Sequence, residues 1–436
     1  MHWILFSVIF YSSKVICSDL KKTQEPEQVH IAFGSDPTQT IAITWSTNEP
    51  TPESAVLYGK NDLSIKAVGT SREFVDAGPE KRVRYIHRVK LLDLEPGASY
   101  LYKCGSNVGW SKTFSFRTAN SSEDWSPRVA VFGDLGVANA RILPFLKNDV
   151  EKKLYDAVIH VGDFGYDLEE NNGELGDEFM RLIEPVAANV SYMVCPGNHE
   201  QAYNFSHYKE RFTMPGDTEN LYYSFDLGPA HFISIDSEAY YYLNYGKSLL
   251  INQYEWLVND LKEANKPENR QKRPWIIVYG HKPMYCSNVW MDDCAFKTAK
   301  VRVGLPGKKW YEYGLEELFY NAGVDLEFWG HQHSYERLWP VYDYQVKNGS
   351  TENPNTNPKG PIQITTGVAG SKYNVTVFKE FKPEWSAVRS VEYGYSILEI
   401  HNRTHIHFQH LSVDKGGEVI DETWIIKDHH EPYKRF

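Results

Sequence analysis

Five short polar clusters in the middle and later parts of the chain hold the side chains best suited to chemistry. They are Gly133-Asp134-Leu135-Gly136, Gly162-Asp163-Phe164-Gly165-Tyr166, Gly197-Asn198-His199-Glu200, Gly280-His281 and Gly330-His331-Gln332-His333. Together they offer carboxylates, an amide, a phenol and several imidazoles, and no thiolate. Such a set suits hard or borderline cations rather than soft ones. Taken singly each cluster is a weak signal, because a Gly-Asp pair is ordinarily a turn and a lone histidine is ordinarily a hydrogen-bonded structural residue. Their order, their uniform placement after apolar runs and the variety of their donors favour one shared metal centre.

The elements that must position these residues follow from the apolar pattern. Arg128 to Gly133 is a short apolar run, Ile142, Leu143, Leu146 and Val150 recur at helical spacing, and Ala157 to Gly162 is apolar again. The same alternation predicts strands at Tyr192–Cys195, Trp275–Tyr279 and Leu326–Trp329, with helices at Leu250–Leu261 and Trp310–Tyr320. Ile362–Thr366, Tyr395–His401 and His405–Leu411 read as further strands. An α/β fold follows from this alternation. The clusters then fall at the carboxyl ends of the strands, where such sheets bind ligands. The glycine in each cluster is expected to allow the sharp turn that aims a side chain back over the sheet edge.

Ahead of this region, stretches such as Val29-His30-Ile31-Ala32-Phe33 and Ile41-Ala42-Ile43-Thr44-Trp45 alternate between Gly, Pro, Asp and Asn breaks. That is the pattern of a β-sandwich. Leu94, Pro96 and Gly97, followed by Tyr100 and Tyr102, resemble the late-strand corner of fibronectin type III domains. The polar, turn-rich segment Ala119 to Pro127 reads as a linker.

With these elements placed, the five clusters resemble the GDxG, GDxxY, GNH[DE], VxxH and GHxH motifs of the purple acid phosphatases, Val278-Tyr279-Gly280-His281 supplying the fourth. The string Gly330 to Arg337 (GHQHSYER) and the tail around Asn402-Arg403-Thr404-His405 are similar to the longer, plant-type branch, and the resemblance spans about residues 28 to 420. It implies a two-sheet metallophosphoesterase sandwich flanked by helices at 127–420, with a C-terminal β region to 436, preceded by a fibronectin III-like domain at 28–119.

The resemblance also implies roles. Asp134, Tyr166 and His333 would hold a ferric ion, Asp163 would bridge, and Asn198, His281 and His331 would hold a second, divalent ion, which is Fe, Zn or Mn in that family. A bridging carboxylate suits the ~3.5–4 Å metal spacing of two-metal phosphatases. Tyr166 is the discriminating residue, since a phenolate favours Fe(III) and gives the family its colour. His331 and His333, two apart, would face the same way on an extended chain. The implied reaction is hydrolysis of small phosphate monoesters: a metal-bound hydroxide attacks phosphorus in line, and a nearby acid protonates the leaving oxygen. His199 stands where the family places a substrate-contacting histidine.

The chain departs from the plant pattern after His281, where Asn288-Val289-Trp290-Met291-Asp292-Asp293 replaces the expected adjacent histidines. Asp292 and Asp293 are either a substitute acid or a solvated acidic loop. Glu336 and Arg337 read as a structural ion pair, and the aromatics Tyr203, Tyr240 to Tyr245 and Trp290 either stack on substrate or pack. Two other readings stay open, a divalent-metal phosphodiesterase or nucleotide hydrolase of the same superfamily and a non-catalytic secreted binding module.

Composition narrows the setting. The 436 residues are 42% hydrophobic, enough for a large core, and the formal net charge of −11 leaves no broad basic face for a nucleic-acid partner. Met1 to Cys17 reads as a signal peptide. N-x-[ST] sequons at Asn120, Asn189, Asn204, Asn348, Asn374 and Asn402 suit a glycosylated protein that is secreted or lysosomal. No later apolar run reaches the ~20 residues of a membrane span. Cleavage after Cys17 leaves Cys104, Cys195, Cys286 and Cys294, which lack zinc-finger spacing. Cys286 and Cys294 are either a disulfide or two buried thiols.

Overall fold

The structure, a computed structural model, describes residues 24–433 apart from 123 and 309, so the expected signal segment Met1–Cys17 lies outside the described residues. The period-2 pattern of the first part folds as two antiparallel sheets. One has the order Glu27–Phe33, Ile41–Thr47, Val83–Leu91, Thr70–Val75, and the other is built on Ile65–Val68, Ala55–Gly59 and Ser99–Ser106 with Gly109–Trp110 and Phe114–Arg117. In Ser99–Ser106 the inward positions are Tyr100, Tyr102 and Cys104, as a pleat requires. The Tyr100 hydroxyl accepts the backbone N–H of Glu95 at 2.9 Å, closing the corner, and Tyr102 donates to the Ala188 carbonyl at 2.7 Å in the second part of the chain.

Two mixed sheets form the second part. The first runs Ser191–Cys195, Ala157–Val161, Arg128–Phe132, Gly394–Glu399, His405–Ser412, Glu418–Ile426, parallel through its first three strands. The second runs Tyr223–Leu227, Ala230–Ser234, Trp275–Tyr279, Leu326–Trp329, Ile362–Thr366, Tyr335–Leu338, Ser386–Ser390, with a parallel centre. Apart from Arg128 and His231 the parallel strands are buried, consistent with sheets covered on both faces. One apolar core, including Val131, Ile159, Ile277 and Phe328, joins the sheets.

Helices Leu143–Glu151, Glu174–Ala187 and Ser248–Ala264 flank them. Where a helix is expected over Trp310–Tyr320, Tyr311–Tyr313 is instead a short strand paired with Gly304–Pro306, and the helix occupies Leu315–Ala322. Two tyrosines favour the pleat, and Gly314 stands at the break between strand and helix.

Candidate metal centre

The carboxyl ends of Arg128–Phe132, Ala157–Val161, Ser191–Cys195, Trp275–Tyr279 and Leu326–Trp329 converge, and each delivers one polar cluster. Turning a side chain back over a strand end strains the backbone: Asp134, Asp163, Tyr166 and His331 all have positive φ, at 65°, 58°, 68° and 68°. For residues with a Cβ this region is sparsely populated and persists only when the surroundings hold it.

The glycines act mainly through space rather than through their own turn. Gly162 (φ +86°) and Gly165 (φ +66°), both in the second cluster, combine the two: a Cβ at Gly162 would lie 2.4 Å from His281 Nδ1, and one at Gly165 3.0 Å from the Phe179 side chain. At Gly197 and Gly330 a Cβ would meet Asp163 Oδ1 at 2.3 Å and Asp134 Oδ2 at 2.6 Å, so the glycines let ligand side chains press against backbone. This corrects the expectation of a glycine-dependent turn in every cluster.

Two sets of ligand atoms result. Those of Asp134, Asp163 and His333 lie within 4.8 Å of one another, as do those of Asp163, His281 and His331, and Asp163 belongs to both. The Tyr166 hydroxyl stands 3.0 Å from His333 Nε2 and 3.4 Å from Asp134 Oδ1, which puts it with the first set. Asn198 Oδ1 stands 3.3 Å from His281 Nε2, which puts it with the second. His331 and His333 therefore serve different sets. The left-handed conformation at His331 breaks the extended geometry that would have faced them the same way.

Surrounding groups fix the donors. His281 Nδ1 is 2.8 Å from the Val161 carbonyl, and His333 Nδ1 is 3.2 Å from the Asn374 carbonyl and 3.0 Å from Ser371 Oγ, so each presents Nε2 inward. Glu200, buried behind the site, accepts backbone N–H groups of Asp163 and Phe164 at 2.9 Å and of Gly197 at 2.7 Å. Its role is foreshadowed only by the final acid of the GNH[DE] motif.

Clustered carboxylates set the electrostatics of the imidazoles and of the phenol. Burial opposes the charged form of His281, yet Asp163, with Asp134 and Glu238 behind it, raises its pKa to about 10. Burial likewise opposes a charged His333, and Asp134 raises it nonetheless. Burial and then Asp134 and Asp163 push the Tyr166 phenol well up. Burial and the Lys282 ammonium, whose Nζ is 2.8 Å from His331 Nε2, hold His331 down to about 4. Hard oxygen donors and imidazoles grouped within 4.8 Å fit first-row metals. Metal ions would compete with protons for the same imidazole nitrogens.

Beside the ligands, His199 is part-buried, its Nδ1 2.7 Å from Asp167 Oδ1, its Nε2 4.0 Å from Asp163 Oδ2 and its ring 4.6 Å from that of Tyr166. Burial opposes its charge, but Asp163 and Asp167 raise its pKa to about 9. Asp292 bonds to His331 and to Gln332 Nε2, so it faces the site, while Asp293 accepts from the Tyr241 hydroxyl at 2.7 Å. Cys286 and Cys294 form a disulfide at the base of this loop, and Cys104 and Cys195 are buried free thiols. Glu336 and Arg337 do not pair with each other: Glu336 accepts from Ser287 and Ser386, and Arg337 forms a two-point contact with Asp421. Lys282, Asp167 and Tyr373 escaped sequence reading. The first directly follows a motif histidine and the second a motif tyrosine, whereas Tyr373 belongs to no motif.

Residues 26–118 match the family "Purple acid Phosphatase, N-terminal domain", 127–335 "Calcineurin-like phosphoesterase" and 360–422 "Iron/zinc purple acid phosphatase-like protein C". The chain is 54% identical to human acid phosphatase type 7, over 92% of this chain and 91% of that protein. It is 31% identical to Arabidopsis thaliana purple acid phosphatase 21, over 91% of this chain and 84% of that protein. The solved structure of purple acid phosphatase PPD1 from yellow lupin superposes with a TM-score of 0.77 at 24% identity, covering 93% of this chain and 75% of that one, a likeness of fold.

Proposed function

The chain belongs to the purple acid phosphatase family, and from that premise we propose that it is a two-metal acid phosphatase acting on small phosphate monoesters. The observation that carries the reading is the sharing of Asp163 between two ligand sets. We assign Asp134, Tyr166 and His333 to a ferric ion, Asp163 to the bridge, and Asn198, His281 and His331 to a divalent Fe, Zn or Mn. When bound, the two cations supply positive charge for the phosphate and acidify water.

The chain's own residues do the rest. Val161 holds Nδ1 of His281, and Ser371 and Asn374 hold Nδ1 of His333, which keeps each Nε2 turned inward. Glu200 fixes the turn that presents Asp163. Asp167 grips Nδ1 of His199, leaving Nε2 to donate a hydrogen bond to a phosphate oxygen or a proton to the leaving oxygen. Lys282 adds a fixed positive charge on the His331 side.

The setting we read is secretory. Asn120, Asn204, Asn374 and Asn402 are exposed, as a glycan would require, whereas the Asn189 side chain donates to the Pro185 carbonyl and accepts from Ser115 N–H. A formed Cys286–Cys294 bond suits an oxidising compartment, and among the described residues no helix is long and apolar enough to cross a membrane.

The test is one preparation of secreted protein, with metal analysis, visible absorption and hydrolysis of phenyl phosphate from acid to neutral pH, wild type beside Tyr166→Phe. Two metals per chain, acid activity, and a visible band lost in the variant are expected. A colourless active protein would replace the ferric reading with a divalent phosphodiesterase, and a metal-free, inactive one would sink both.

A further inference from the structure

Resting on the phosphatase reading, we infer that the same site is built for phosphate monoesters of flat aromatic alcohols, and that Trp290 and Tyr373 form the platform for the ring. Two loops meet beside the ligands. The one closed by Cys286–Cys294 exposes Val289, Trp290 and Met291 at 43%, 51% and 65%, and its neighbour exposes Tyr373, Val377 and Phe381 at 46%, 51% and 76%. Clusters of exposed large apolar groups mark places where something apolar binds.

The loops are stitched to one another. Val289 N–H donates to the Val377 carbonyl at 2.9 Å, Lys379 N–H to the Ser287 carbonyl at 3.0 Å, and the buried Asn288 amide donates to Ser334 Oγ and the Thr376 carbonyl, both at 2.9 Å. With the disulfide at the base of the first loop, the platform is set before a ligand arrives, which limits the ordering cost of binding.

The rings reach the reacting centre. Trp290 lies 6.2 Å, centroid to centroid, from His333, edge on. Tyr373 is parallel to His333 at 6.2 Å, and 5.5 Å from Tyr166 and 5.9 Å from His199. A phosphate held among those three residues would carry its leaving group out between Trp290 and Tyr373. Three other tyrosines near the site are engaged otherwise: Tyr240 is buried and donates to the Tyr313 carbonyl, Tyr241 to Asp293, Tyr242 to the Asn198 carbonyl. Two indole and phenol faces select a flat ring over a flexible chain of similar area, because rings gain from stacking geometry as well as burial.

The experiment uses the metal-loaded enzyme and three inert competitors, methyl-, phenyl- and hexylphosphonate, measured as inhibitors of phenyl phosphate hydrolysis. Phenylphosphonate should bind about tenfold more tightly than methylphosphonate, with hexylphosphonate well behind phenyl. Trp290→Ala should shrink the phenyl-to-methyl ratio to about twofold and raise KM for phenyl phosphate more than it lowers kcat, while Trp290→Phe keeps most of the ratio. A ratio unchanged in Trp290→Ala overturns the platform. Hexylphosphonate matching phenylphosphonate would make the patch a general apolar surface, such as one meeting lipid, and overturn the aromatic preference. Failure of the phosphatase reading looks different: no monoester is hydrolysed at all.

Discussion

Glu200 accepts the backbone N–H of Asp163 at 2.9 Å, and the same carboxylate takes the N–H groups of Gly197 and Phe164. The turn that carries the shared ligand is thus tied to the turn that carries Asn198 by one buried side chain.

Glu200→Gln tests that tie. The amide retains one acceptor oxygen and sets an NH2 donor against a backbone N–H, leaving buried donors unpaired at ~1–3 kcal/mol. Urea unfolding of metal-free protein should show that loss. Chelator competition should show metal affinity lowered ~10–100-fold, the usual effect of losing a group that supports ligands. Unchanged affinity would mean that Asp163 is held without Glu200.

Gly162→Ala probes the space beneath His281. The new Cβ would fall 2.4 Å from Nδ1, at a φ of +86° that alanine resists. His281 must swing away, so the second metal should be lost first. Metal content near one per chain, with the tyrosinate band retained, is the expected result, and full occupancy of both sites would refute it.

Much of this centre is legible in the sequence, because each apolar run ends in a glycine and a ligand, and both the strand ends and the donor chemistry follow from that pattern. What is not legible depends on long-range pairing or backbone sign. Nothing local indicates that Tyr335–Leu338 runs between Ile362–Thr366 and Ser386–Ser390 in its sheet, or that Tyr335 and Arg337 share Asp421. The divergence of His331 and His333 turns on a positive φ that a polar dipeptide does not announce. The helix Glu174–Ala187 escapes the pattern because Pro185 interrupts its last turn and Asp177 is buried, both against the usual rules.

That buried Asp177 locks the β-sandwich to the rest of the chain. It pairs with Arg211 at 2.7 Å and with Arg82, and Arg84 lies 3.5 Å away. Burial works against its charge, but Arg211 and Arg84 hold its pKa below the usual carboxylate range. A depressed carboxylate stabilises the fold above its unfolded pKa of ~3.9 and loses that contribution as pH falls further. Asp177→Ala strands the arginines and should cost ~3–5 kcal/mol in denaturant unfolding at neutral pH. The gap from wild type should narrow below about pH 4. A loss under ~1 kcal/mol would show that the arginines find other partners.

In the strand Ala230–Ser234 of the second sheet a histidine gives the reverse pH sign. His231 Nδ1 is 2.7 Å from Asp226 and its Nε2 is 2.9 Å from Asp260, with Arg273 on Asp226 at 2.9 Å and Ser224 on Asp260 at 2.7 Å. Burial opposes its charge, yet the two carboxylates raise its pKa to about 9. The unfolded value is ~6.5, so the protonated clamp stabilises fully below that pH and its contribution, up to about 3 kcal/mol, fades as pH rises through 9. Thermal melts from pH 6 to 10 should show wild type well above His231→Gln at the acid end. The two should converge at the alkaline end, and a gap independent of pH would mean that the imidazole is neutral in the fold.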